Sequence, residues 1–209
     1  MKYRIFPFIT SQLNQFMYLN PTLQGDLVLV TNPSTKVVSV TDVKSHLRID
    51  TSDEDTLLGL YIDAATEMAE NFCGRHFITH SYKLYFDSVT SVASLVYPDC
   101  TLNTIRPINW IDSAGTAKAS LKAHIDAYSN PSIVYLDSDF DSPTLQDDTS
   151  NVFWFDFSTG FGAASSDIPE AIKQAIKLIV ADMYYFREDR KRTFPMTSEI
   201  LLQPYKCYY

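Results

Sequence analysis

Apolar positions along the chain change period twice. From Thr41 to Gly74 they recur every three or four residues, from Phe77 to Phe157 they come in short runs, and from Ile168 to Phe186 the helical spacing returns. The first helical stretch is TDVKSHLRI, with Thr41 or Asp42 as its cap. The second, DEDTLLGLYIDAATEMAENFCG, places acids in its first turn, where they favour the helix dipole, and Gly74 just past its end. On it Leu57, Tyr61, Ala64, Met68 and Phe72 form an apolar stripe, while Asp63, Glu67 and Glu70 line a face without basic partners.

In the middle region YKLYFDS, INWIDS, SIVYLDS and VFWFDF each run through aromatic or β-branched residues into an Asp, the pattern of recurring strand-then-turn units. Their unequal spacing argues against a solenoid. A small antiparallel sheet or β-rich insertion is expected, with LKAHIDAY too short and mixed to assign. The acidic stretch DSDFDSPTLQDDTS should face solvent, and STGFG supplies a turn into the last helix.

That helix opens on Asp167, Pro169 and Glu170. Its one polar stripe is Glu170, Lys173, Gln174 and Lys177. Ile168, Ile172, Ala175, Ile176, Ile179, Met183 and Phe186 oppose it, and Leu178, Val180, Ala181, Tyr184 and Tyr185 widen the apolar arc beyond what one neighbour covers. The helix should lie between layers or against another chain. Arg187, Arg190, Lys191 and Arg192 follow, as an exposed end that complements the dipole or as an interface contact.

Residues 1–36 hold no sustained period; apart from a possible short strand at DLVLV they read as an extended arm. The expected organisation is therefore α+β, a mainly α-helical bundle core with a small β-rich insertion and an extended N-terminal arm. Its parts are an arm at 1–36, a helical half-core at 37–76, a β-rich region at 77–157, a long helix at 158–192 and a tail at 193–209.

Composition narrows the function. In 209 residues, 45% are hydrophobic and 20% charged, a globular balance. A formal net charge of -8 argues against wrapping a phosphate backbone, but not against letting nucleic acid pass by. Thirteen Tyr and thirteen Phe serve interfaces as readily as cores. The segment MKYRIFPFITSQLNQF makes a poor signal peptide, no apolar run approaches a spanning helix, and three cysteines without metal spacing fit a reducing compartment. A soluble protein made inside the cell, with no membrane partner, is expected.

Motifs of catalysis are missing. STGFG lacks the Lys-Ser or Lys-Thr of a phosphate loop. Cys73, His76 and His80 suggest a metal set only on paper, because Gly74 breaks the helical spacing between them. His46 and His124 are isolated, and Asp53 with Asp55, or Asp147 with Asp148, suit turns and caps as well as acid-base work. Neither an enzyme nor a cofactor is expected.

Two separated segments then become informative together. VVSVTDVKSHLRIDTSDEDTLLGLYIDAATEMAENFCGR, and later VFWFDFSTGFG, IPEAIKQAIKLIVADMYYFRED and LLQPY, resemble in their order the bacteriophage head-to-tail connector (adaptor) proteins. The resemblance implies a structural virion protein at the head-tail interface. It would form a ring, commonly of twelve copies, beneath the portal, extend the channel for double-stranded DNA, and present a platform to a stopper or tail-completion protein. It implies structural roles for Val43, Leu47 and Ile49, for Leu57, Ile62, Ala65 and Phe72, for Pro169, Ala171, Ile172, Ala175, Ile179 and Tyr184, and for Leu201, Leu202 and Tyr205.

On this footing Leu57, Tyr61, Met68, Phe72, Ile172, Ile176, Ile179, Met183 and Phe186 are candidates for core or oligomer contacts. Arg187, Arg190, Lys191, Arg192, Leu201, Leu202 and Tyr205 are candidates for portal docking. Asp63, Glu67, Glu70, Asp137, Asp139, Asp141, Asp147 and Asp148 are candidates for an acidic channel or rim that repels phosphate. Removal of 193–209 is expected to spare the fold and abolish docking. The competing readings are another neck or tail-completion protein, a small metal-dependent enzyme and a dimeric regulatory module.

Overall fold

The computed structural model describes residues 25–31, 33–89, 92–95, 97–102, 108–147, 149–188 and 196–207. Among them lie the strands β1 (Asp26–Thr31), β2 (His80–Phe86), β3 (Val92–Ser94), β4 (Thr101–Leu102), β5 (Ile108–Ile111), β6 (Ala117–Ser120), β7 (Ala123–Asp126), β8 (Ile133–Leu136) and β9 (Phe153–Thr159). The helices are α1 (Val40–Leu47), α2 (Asp55–Cys73), α3 (Glu170–Tyr185) and α4 (Met196–Leu202). The chain divides into two compact units. A β unit comprises Ser81–Ser158 with the chain up to Val30, and a helical unit comprises Thr31–His80 with Thr159–Tyr209.

This corrects the expectation of a mainly helical bundle with a small β insertion and an extended arm. The β region forms two sheets, one of six strands in the order β1-β2-β9-β5-β6 with β4 also on β9, the other of three in the order β3-β8-β7. Residues 26–31 belong to the larger sheet and not to an arm; residues 1–24 lie outside the described residues. The reason is aromatic alternation. In β9 Phe153, Phe155 and Phe157 are buried while Trp154, Asp156 and Ser158 alternate with them at partly exposed positions. Burying each Phe contributes about 1.5–3 kcal/mol, and with Leu84, Leu95, Ile108 and Val134 they build a core independent of the helices.

The repeated strand-then-Asp pattern has a local cause at Asp112 and long-range ones elsewhere. After β5 the Asp112 carboxylate accepts the amides of Ala114 and Thr116 at 3.0 and 2.8 Å and closes the hairpin into β6. These bonds hold its carboxyl below the usual aspartate range, Thr116 contributing most. Asp87 accepts the Asn151 amide at 2.8 Å. Asp156 is the exception: β9 runs on to Thr159, and this carboxylate takes Asn109 Nδ2 at 2.8 Å in mid-strand. LKAHIDAY supplies β7, paired antiparallel to β8.

In the helical unit the cap of α1 is Ser39 and not Thr41 or Asp42; its Oγ accepts the Asp42 amide at 3.1 Å and donates to the Asp42 carboxylate at 2.6 Å. Gly74 ends α2 in the left-handed region, as expected. The buried line of α2 runs through Leu58, Ile62, Ala65, Ala69 and Cys73, one position on from the stripe read in the sequence. Tyr61, Met68 and Phe72 flank that line half-buried, Leu57 is partly exposed and Ala64 is exposed. Small residues at the centre of the line let α3 approach closely, which is why alanines carry it.

Both glycines of STGFG are steric requirements. A Cβ at Gly160, where φ is +121°, would meet the Ile78 carbonyl oxygen at 2.6 Å, and one at Gly162 would meet the Asp167 side chain at 2.2 Å. Ile78 and Gly162 form an isolated parallel bridge, with the Thr79 amide donating to the Gly162 carbonyl at 2.9 Å. This cross-link ties the end of α2 to the entry of α3.

Candidate assembly surface of the helical unit

The breadth of the apolar arc on α3 resolves into two parts. Ile172, Ala175, Ile176, Ile179 and Val180 are fully buried within the unit, so most of the arc is covered by its own chain against α2 and α4. The uncovered part is the C-terminal end: Tyr185 is 63% exposed, Phe186 53%, and Ile200 on α4 66%. A shallow groove there is lined by Leu178, Ala181, Asp182, Tyr185, Phe186 and Thr197. Met183 is half-buried against the core.

A polar latch borders this end. Glu54, at the start of α2, accepts the Tyr184 hydroxyl at 2.5 Å and Arg187 Nη2 at 2.8 Å, and the Arg187 guanidinium lies 5.3 Å from the centre of the Tyr184 ring. The Tyr184 and Arg187 hydrogen bonds hold the Glu54 carboxyl below the usual glutamate range, and the same contact raises the Tyr184 phenol. Arg187 is thus engaged by its own unit; Arg190, Lys191 and Arg192 lie outside the described residues.

The other docking candidates belong largely to the interior. Leu202 and Ser198 of α4 are buried, and Leu201 and Tyr205 are partly buried against the core. The chain after α4 is strapped back: the Cys207 amide donates to the Cys73 carbonyl at 2.7 Å, and Lys206 Nζ sits 4.7 Å over the Phe72 ring. Leu202 is therefore a core residue and not a docking contact, and truncation at 193 would open the core instead of sparing the fold. The signal that would have shown this is the helical spacing of Ser198, Leu201 and Leu202.

The acidic candidates separate similarly. Asp63 is ion-paired with Lys36, and Glu70 accepts the Phe77 amide at 2.7 Å and lies 3.0 Å from His76 Nδ1. On the face expected to lack basic partners, Asp63 thus has Lys36, distant in sequence, and Glu70 has the imidazole of His76, six residues on. Asp137 meets His124 at 2.9 Å and Asp139 meets Lys122 at 3.1 Å. Glu67, Asp141 and Asp147 are exposed, and Asp148 lies outside the described residues.

Cys73, His76 and His80 do not assemble as ligands. Burial pushes the Cys73 thiol up to about 12, and the His76 and His80 rings stack 4.0 Å apart, burial and the His76 neighbour lowering His80. Among the described residues no group of three His, Cys, Asp or Glu side chains is placed to hold a metal, and no helix is long and apolar enough to cross a membrane.

Residues 37–97 match the family described as phage gp6-like head-tail connector protein, a stretch that covers the first of the two segments carrying the sequence resemblance and includes α1 and α2. The fold is shared with chains from gene transfer agent (GTA) particles. One, from the neck of an empty particle computed with C6 symmetry, gives a TM-score of 0.70 at 22% identity over 88% of this chain and 96% of that one. A chain of the native GTA virion gives 0.67 at 21% identity, and one from the native neck computed with C12 symmetry gives 0.66 at 23%, with the same coverage of both chains. No curated protein sequence matches the chain.

Proposed function

We propose that this chain is a structural head-to-tail connector of a virion neck, assembled as a closed ring of copies beneath a portal. The observation that carries the reading is the connector match over residues 37–97, and the shared fold along 88% of the chain with neck proteins supports it. Those neck structures were computed with sixfold and twelvefold symmetry, in keeping with a ring of about twelve copies.

The ring buries the apolar end of α3 and α4 against a neighbouring copy or the portal. Tyr185, Phe186 and Ile200 are the contacts of largest expected effect, since exposed aromatic and aliphatic groups gain most from desolvation. The basic residues Arg190, Lys191 and Arg192 add electrostatic complementarity to an acidic portal surface. Glu67, Asp141 and Asp147, exposed and acidic, lend negative potential to the channel or its rim, so that genomic DNA slides past without lodging. A stopper or tail-completion protein docks on the tail side. The chemistry is mechanical, with no catalytic step.

Imaging of particles that carry the Tyr185→Glu, Phe186→Glu double variant tests this. Wild-type particles should show a collar containing this chain beneath the portal, and the variant should fold normally yet leave the collar empty. A wild-type neck without the chain would end the proposal.

A further inference from the structure

We infer that β1 is an assembly edge, covered in the ring by the opposite edge of the same sheet, β6, from a neighbouring copy. Among the described residues, the sheet order β1-β2-β9-β5-β6 leaves these two strands at its ends. β1 reads Asp-Leu-Val-Leu-Val-Thr. Leu27 packs toward the core, but Val28, Leu29 and Val30 are 46%, 43% and 53% exposed, so apolar side chains are uncovered at successive positions, which point to opposite faces of the strand. Alternate backbone groups on its outer side need partners.

β6 suits the role. Its sequence, Ala-Lys-Ala-Ser, is small and mostly exposed, so a second backbone can approach. Its one charge is Lys118, half-exposed and 3.6 Å from Asp112 of its own copy, whereas the one charge of β1 is Asp26, so a neighbour's Asp26 offers Lys118 a second carboxylate. Symmetry also favours this pairing. Joining β1 to β1 uses one surface twice and stops at a pair, but joining β1 to β6 uses two different surfaces and propagates, forming a ring where the rotation between copies closes. The inference rests on the connector reading.

Three measurements on the full chain test it. Hydrogen exchange of the Asp26–Thr31 amides should be fast in the isolated chain and slow in the assembled neck; equal protection in the isolated chain would mean that residues 1–24 of the same copy cover the edge, and would overturn the inference. In a Cys207→Ser background, cysteines at Val28, Leu29 or Val30 combined in turn with cysteines at Ala117 or Ala119 should yield a disulfide-linked ladder of subunits for at least one pair. No ladder from any pair refutes the pairing. The Val28→Lys, Val30→Lys double variant should lower ring yield roughly tenfold or more with its melting curve unchanged, and normal ring yield would count against it. If the wild-type neck keeps its collar while these fail, only the edge pairing falls; if it has no collar, both readings fall.

Discussion

The two units solve the same problem with different residues. The helical unit packs by proximity: Ala65, Ala69 and Ala175 lie on buried lines, and branched residues such as Ile172, Ile176 and Ile179 fill the space between helices. The β unit packs by size, with Phe153, Phe155, Phe157 and Phe86 in a core closed by short strands. Both expose apolar groups, Tyr185, Phe186 and Ile200 in one and Val28 to Val30 along an edge strand in the other.

Core substitutions probe that contrast most strongly. Phe155→Ala should cost about 3–5 kcal/mol and Ile176→Ala about 2–5 kcal/mol. Both tryptophans, Trp110 and Trp154, lie in the β unit, so their fluorescence in urea should register Phe155→Ala, while the helical signal at 222 nm should register Ile176→Ala. Identical shifts of both signals by both variants would show one shared core. Next, Gly160→Ala should destabilise the helical unit by about 1–3 kcal/mol, because it combines positive φ with contact on the Ile78 carbonyl; the 222 nm transition checks this. Ser39→Ala should cost about 1 kcal/mol, with Ser39→Asn restoring most of it.

The smallest effect is expected at the exposed latch of Glu54, Tyr184 and Arg187. Because the Glu54 carboxyl is held below its ordinary value, its contribution is complete above the usual glutamate range and is lost as pH falls through the depressed value. Glu54→Gln should remove that acid-side dependence from the melting temperature while leaving the neutral-pH fold in place. An unchanged acid limb would assign no role to the latch.

Much of the secondary structure was legible because its causes are local. The 3.6-residue spacing from Ile172 to Ile179, Gly74 after α2 and Pro169 before α3 each act through their immediate neighbours. The offset of the buried line on α2 was not legible: Leu57 and Leu58, or Tyr61 and Ile62, are adjacent apolar residues, and only the approach of α3 chooses between them. The candidate site was legible in part. Tyr185 and Phe186 stood out as surplus apolar residues, but Leu202 was misplaced because the helical spacing of Ser198, Leu201 and Leu202 was read as part of a tail.

By itself the sequence determined the two long helices and the strands at YKLYFDS, INWIDS, SIVYLDS and VFWFDF, the turn chemistry of Asp112 and Gly160, and the connector resemblance of residues 37–75, since each depends on residues close together in the chain or on their order. Only the tertiary structure decided that the β region is a unit with its own core, that Asp63 meets Lys36, and that among the described residues β1 and β6 end one sheet. Those outcomes arise from contacts between residues far apart in the chain, whose free energy is set by which surfaces meet and not by local spacing.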